Sequence, residues 1–211
     1  MELNLQDLLD MLVDTGANYQ LADPSLLQHY VDKKNRIVRV YGEIEVGFAR
    51  EVIQSLAEWN EEDAGKPIEE RKCIKFWIDN AGGLVSELLS VIKAIELSET
   101  PVKTICVCMA ASAAADLLAC GHPGLRYAMP GTTIMMHAGS CKYEGTQSQV
   151  EDTKKYFDTL GKRVTDHVYE RTNLSPKIKK RLKDHDYYMD ENEALELGII
   201  DHIITSFKDL D

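Results

Sequence analysis

Residues 73–121 read CIKFWIDNAGGLVSELLSVIKAIELSETPVKTICVCMAASAAADLLACG, and the order of elements in this stretch decides the fold. Residues 73–79, Cys-Ile-Lys-Phe-Trp-Ile-Asp, are rich in β-branched and aromatic side chains and predict a strand. The strand runs into Asn80-Ala81-Gly82-Gly83, a tight glycine turn, and a helix follows from about 84 to 97. Pro101 then precedes an apolar strand at 103–109. A small-residue helix, Ala110 to Ala119, comes next and is broken by Gly121-His122-Pro123-Gly124. Strands alternating with helices predict an α/β fold with a mainly parallel sheet under helical cover.

The flanks extend the same pattern. Upstream, residues 36–44 alternate as a strand, and residues 46–60 carry helical periodicity before the acidic loop Glu61 to Pro67. Within residues 1–30, Leu5, Leu8, Leu9 and Leu12 fall at helical spacing, and Asp23-Pro24-Ser25 is a helix-start signal. Downstream, strands are expected at 125–129 and 132–137, then a long polar helix at 147–172. Ser175-Pro176 opens a further helix running to about 183. A short helix from Glu191, capped by Gly198, leads to a last strand, Ile199 to Ile204.

The chain has 211 residues, 44% hydrophobic and 28% charged, which suits one domain with a sizeable core. Its net charge of −11 argues against nucleic acid as a partner. The cysteines Cys73, Cys106, Cys108, Cys120 and Cys141 read as reduced, mostly buried thiols, and Cys106 and Cys108 form C-x-C rather than a zinc pair. Met1-Glu2-Leu3-Asn4 lacks the pattern of a signal peptide, and no stretch approaches the ~20 apolar residues that span a bilayer. The expectation is a cytoplasmic protein with no membrane contact.

Candidate chemistry gathers at the strand ends. Ser112 lies at a strand-to-helix switch, between small residues that let a substrate backbone approach. Serine is a weak nucleophile unless a base takes its proton. His137 closes the apolar run Thr133-Ile134-Met135-Met136 and can point an imidazole from a rigid platform. Gly83, at another strand-to-helix turn, can present its N–H unobstructed, as an oxyanion requires. Asp186, between Asp184 and Asp190, reads by itself as surface charge. Composition and periodicity alone reach an α/β domain with a possible serine-hydrolase site.

Taken together, the segments resemble the proteolytic subunits of the Clp proteases, the ClpP family, over roughly residues 35–206. The resemblance rests on Asn80-Ala81-Gly82-Gly83, Ala110-Ala111-Ser112-Ala113-Ala114, Arg126-Tyr127-Ala128-Met129-Pro130 and Ile134-Met135-Met136-His137. It continues through Asp186-Tyr187-Tyr188-Met189, Glu193-Ala194 and Gly198-Ile199-Ile200-Asp201. It implies a repeated β-β-α superhelix of the ClpP/crotonase kind. The head would comprise 36–138 and 173–206, the protruding handle strand and helix 139–172, and a C-terminal tail 207–211.

It also implies a Ser112, His137, Asp186 triad, with the N–H groups of Gly83 and Ala113 as oxyanion hole. No cofactor or metal would belong to this chain, because ATP would be used by a hexameric AAA+ unfoldase partner. The chain would assemble as two stacked heptameric rings that cut polypeptide substrates. The handle strand, Gly139 to Gly145, would pair with substrate backbone. Three departures mark a divergent member. Residues 1–35 do not resemble the family's N-terminus, the glycine turn lacks Ser-Pro, and Met109 stands where glutamine is common. Two other readings stand beside the peptidase: a crotonase-fold enzyme acting on acyl-CoA, and a non-catalytic or regulatory ring subunit.

Overall fold

The computed structural model describes residues 24–210, and the chain divides into two units, Met1–Asn35 and Arg36–Asp211. The leucine pattern of residues 5–12 lies outside the described residues. In the first unit, helix α1 (Pro24–Asn35) opens on a proline, whose fixed φ suits a first helical position and whose missing N–H has no partner to lose there.

The second unit begins with β1 (Ile37–Ile44), α2 (Phe48–Glu62), β2 (Ile74–Gly83), α3 (Val85–Leu97), β3 (Val102–Ala111) and α4 (Ala113–Ala119). Short strands β4 (Arg126–Ala128) and β5 (Thr133–Met136) follow, then the long helix α5 (Gln147–Arg171). The chain closes with α6 (Pro176–Arg181), β6 (Tyr187–Asp190), α7 (Glu191–Glu196) and β7 (His202–Ile203). The sheet runs β1-β2-β3-β4-β7, all parallel, with β5 attached to β3 and β6 to β5. It is thus a mixed α/β fold with a mostly parallel, open sheet. Among the described residues no helix is long and apolar enough to cross a membrane.

Alternation along β2 puts Ile74, Phe76 and Ile78 on the face that meets α3 and α4, and all three are fully buried. Leu88, Val91, Ile92 and Ile95 of α3, with Leu117 and Leu118 of α4, fill the layer above. Truncating one such residue to alanine costs about 2–5 kcal/mol, so this layer is the stability of the unit.

The feature that builds the site is a bulge in β3. Pairing with β2 steps from Ile78↔Cys106 to Asn80↔Ala110, so two steps along β2 match four along β3. The slack at residues 107–109 bends the strand. Asp79 fastens the bend by accepting the Met109 N–H at 3.2 Å. Before the bulge β3 pairs with β4 through Thr104–Cys106, and after it with β5 through Met109–Ala111.

Some expectations shift. The strand at 103–109 continues to Ala111, and α4 starts at Ala113 rather than Ala110. The last strand is only His202–Ile203, because Ile199 and Ile200 are buried as core plugs rather than paired. The handle strand at 139–145 does not form within the chain: residues 137–146 have neither strand nor helix and pair with no strand among the described residues. The strand β6 was unforeseen. The cysteines are unpaired but less buried than expected, since Cys108 and Cys141 are exposed and only Cys106 and Cys120 are buried.

Candidate active site

Two ladders bring three distant residues together. Parallel pairing aligns Ala111 with Met135, and the Ser112 N–H donates to the Met135 carbonyl at 2.8 Å. Ser112 therefore leaves β3 beside the end of β5. On the other side of β5 the antiparallel ladder to β6 pairs Met136 with Tyr187. His137 follows Met136 and Asp186 precedes Tyr187, so register alone sets them opposite each other.

The side chains complete the relay. His137 Nε2 lies 2.7 Å from Ser112 Oγ, and His137 Nδ1 lies 3.2 Å from Asp186 Oδ1. With Nδ1 carrying the proton toward the carboxylate, Nε2 is left as an acceptor for the serine hydroxyl. The imidazole is 22% exposed and the Asp186 side chain 52% exposed. The His137 ring is thus sheltered, while the Asp186 carboxylate remains open to water. Asp184 and Asp190, the sequence competitors, do not take this place: Asp190 instead caps α7, accepting the Glu193 N–H at 2.8 Å.

Ser112 has φ 55° and ψ −126°, a left-handed conformation that few residues other than glycine adopt. It is the elbow between β3 and α4, and it lifts the hydroxyl clear of both elements. The space for it comes from Gly82. A Cβ there would stand 2.8 Å from Ser112 Cβ and 2.8 Å from the Ala111 carbonyl oxygen, and Gly82 itself has φ +110°. Gly83 has a different duty in the backbone: a Cβ on it would lie 2.3 Å from the Ile44 carbonyl oxygen, so its side faces β1.

The Asn80 side chain accepts the Gly82 N–H at 2.6 Å, which holds the turn and leaves Gly82 without a free donor. Ala113 is the first residue of α4, whose opening N–H groups have no intrahelical acceptor. Sequence reasoning named Gly83 and passed over Gly82. The signal was the glycine pair itself, since a single N–H donor explains only one of the two.

A cavity of about 700 Å³ adjoins the relay, lined by Met136, His137, Leu182 and the α5 residues Val168 and Tyr169, with Asp116 of α4. The Ala138 N–H donates to the Leu182 carbonyl at 2.8 Å, which closes one side just past the histidine.

The Clp protease family model matches residues 28–207. The chain belongs to the Clp protease family. It is accordingly a peptidase, a hydrolase of peptide bonds. The match begins inside α1, earlier than the start near 35 that the sequence suggested. Within the Clp protease frame the separated sequence motifs make spatial sense. Arg126 and Asp201, from two of them, form a two-pronged ion pair: Nε to Oδ2 at 2.9 Å and Nη2 to Oδ1 at 2.5 Å.

Proposed function

We propose that this Clp protease is a serine endopeptidase that cleaves unfolded polypeptides with Ser112 as nucleophile, His137 as general base and Asp186 as the group that orients the imidazole. The observation that carries this reading is the unbroken line of contacts from Asp186 through His137 to Ser112, at 3.2 and 2.7 Å.

The chemistry follows from the geometry. Ser112 Oγ attacks the peptide carbonyl carbon as its proton passes to His137 Nε2. The carbonyl oxygen becomes an oxyanion, held by the N–H groups of Gly83 and Ala113. Collapse of this intermediate breaks the C–N bond, and His137 returns the proton to the departing amine. Water then attacks the acyl-serine with His137 again as base, releasing the acid and restoring Ser112. Asp186 stays ionised and stabilises the imidazolium formed in each half.

Two further parts belong to this proposal. The protomers stack as two heptameric rings through residues 139–172, enclosing the active sites in the cytoplasm. An AAA+ unfoldase of the Clp type feeds them and consumes the ATP. An enclosed chamber suits an enzyme whose serine must not meet folded proteins.

The test uses the purified full chain, a small fluorogenic peptide and a fluorophosphonate probe. Ser112→Ala and His137→Ala are expected to abolish cleavage, by about 10³-fold or more. Light scattering should show the particle mass unchanged in both. Turnover that persists in either variant would overturn the assignment. Labelling of Ser112 also separates a peptidase from a crotonase-type acyl-CoA enzyme, which has no activated serine.

A further inference from the structure

We propose that Asp116 forms the floor of the pocket receiving the substrate side chain on the acyl side of the scissile bond, and that the enzyme prefers lysine or arginine there. This deepens the serine peptidase reading and rests on it.

Asp116 stands four residues after Ser112, and its N–H donates to the Ser112 carbonyl at 3.1 Å. Asp116 thus lies in the first turn of α4, directly after the elbow that carries Ser112. The six other residues of α4 are buried apolar side chains, so Asp116 is its single departure from the core pattern. It lines the cavity of about 700 Å³ whose wall also carries His137 and Met136. A peptide with its carbonyl at Ser112 Oγ holds the acyl-side residue next to both.

The carboxylate has no partner to lose. Among the described residues none hydrogen-bonds or ion-pairs with it, and burial alone pushes its carboxyl up to about 7. An acid held in a largely apolar wall is costly to ionise, and a cation brought by substrate relieves that cost. The titratable groups close enough to feel its charge are Cys120, four residues further on at the end of α4, and Tyr169 of α5. The cavity it shares is also lined by Met136, Val168, Leu182 and His137. The other charged groups along the cavity are Asp158, Lys162 and Lys183. Lys162 is bound to Asp166 at 2.5 Å. A lysine or arginine stem entering this cavity would lay its methylenes on the lining residues Val168 and Leu182.

The experiment compares fluorogenic peptides identical except for Lys, Arg, Leu or Glu before the cleaved amide. Active sites are counted with fluorophosphonate. For the natural chain, kcat/KM is expected to be about tenfold or more higher for Lys and Arg than for Leu, with Glu the poorest. In Asp116→Asn the Lys-to-Leu ratio should fall about tenfold, while Asp116→Glu should keep a ratio above one. Ratios within one preparation are insensitive to partial misfolding. Labelled Ser112 with Leu preferred over Lys in the natural chain overturns this inference and leaves the peptidase intact. A basic preference that survives Asp116→Asn overturns the role of Asp116. Failure to label Ser112 or to cleave any peptide overturns the peptidase reading, and this inference with it.

Discussion

Ser112 and Gly82 are a matched pair of backbone exceptions. Holding a serine at φ 55° costs about 1–3 kcal/mol, and the neighbouring glycine removes the atom that would otherwise collide with it. The two glycines of the turn should therefore fail differently. Gly82→Ala places a methyl against Ser112 and is expected to lower kcat at least about tenfold with a modest loss of thermal stability. Gly83→Ala pushes a methyl into the Ile44 backbone and is expected to lower the melting temperature far more than Gly82→Ala does, as strain in the β1–β2 ladder, besides displacing the N–H proposed for the oxyanion. Peptide turnover and thermal melts on both variants check this contrast. Equal effects on both readouts would refute the division of roles. Ser112 and His137, which the structure brings into contact, stand out in the sequence because both sit where an apolar run stops. The elbow angle does not, since nothing in Ala-Ala-Ser-Ala-Ala distinguishes a left-handed serine from a helical one. Asp116 was passed over for the same reason: one acid in an alanine-rich helix looks like an ordinary solvated position.

Between elements, two buried arginines act as clamps. Arg36, just before β1, reaches across to Asp63 at the C-terminus of α2, with a second contact at 3.0 Å and their side chains only 6% and 1% exposed. Lys66 and Thr100 also donate to Asp63, at 2.9 and 3.0 Å. The Arg36 hydrogen bond is the main reason the Asp63 carboxyl sits well below the usual carboxylate range. Burial opposes it, and Lys66 and Thr100 add to it. A carboxyl depressed in the folded state stabilises at every pH above the unfolded value of about 4. That contribution is lost as the pH falls through the folded value.

Asp63→Asn is thus expected to cost about 3–5 kcal/mol at neutral pH, with its melting temperature converging on the natural protein's as the pH drops below about 4. Melts at several pH values decide it, and a gap that does not narrow speaks against the carboxylate. Arg126 is the second clamp. Besides Asp201 it donates to the carbonyls of Arg171 at 2.9 Å and Gly198 at 2.6 Å, tying the end of α5 to the chain after α7. Arg126→Lys, with one ammonium for a planar fork, should lower the melting temperature clearly despite the kept charge. The strand and helix order was legible from period and turn residues. The antiparallel β5–β6 ladder was not, because β6 is only four residues long and its Tyr-Tyr-Met-Asp carries no clear alternation.

For the molecule as a whole, the exposed aromatic edge of α5 is the surface most in want of a neighbour. Tyr156 is 57% and Phe157 40% exposed, and Tyr143 packs near Phe157 with ring centroids 6.3 Å apart. Aromatic side chains in such a patch are typical of interfaces. Under the stacked-ring proposal Tyr156→Glu should part the rings, and light scattering should report about half the particle mass. An unchanged mass would place the stacking surface elsewhere. The handle strand could not be judged from sequence, since residues 139–145 gain a ladder only when another strand lies beside them. A single chain supplies none.

The bulge in β3 has an outcome for durability. Ser112 is moored to the strand that carries His137 by a ladder of three residue pairs and one hydrogen bond from its N–H to the Met135 carbonyl, whereas the apolar layer behind it is many times larger. Under the triad proposal, prying apart that short seam would disarm the enzyme while the body of the protein still held its shape. Heat inactivation should then precede bulk melting, with deuterium uptake at the Ser112 amide as the first sign.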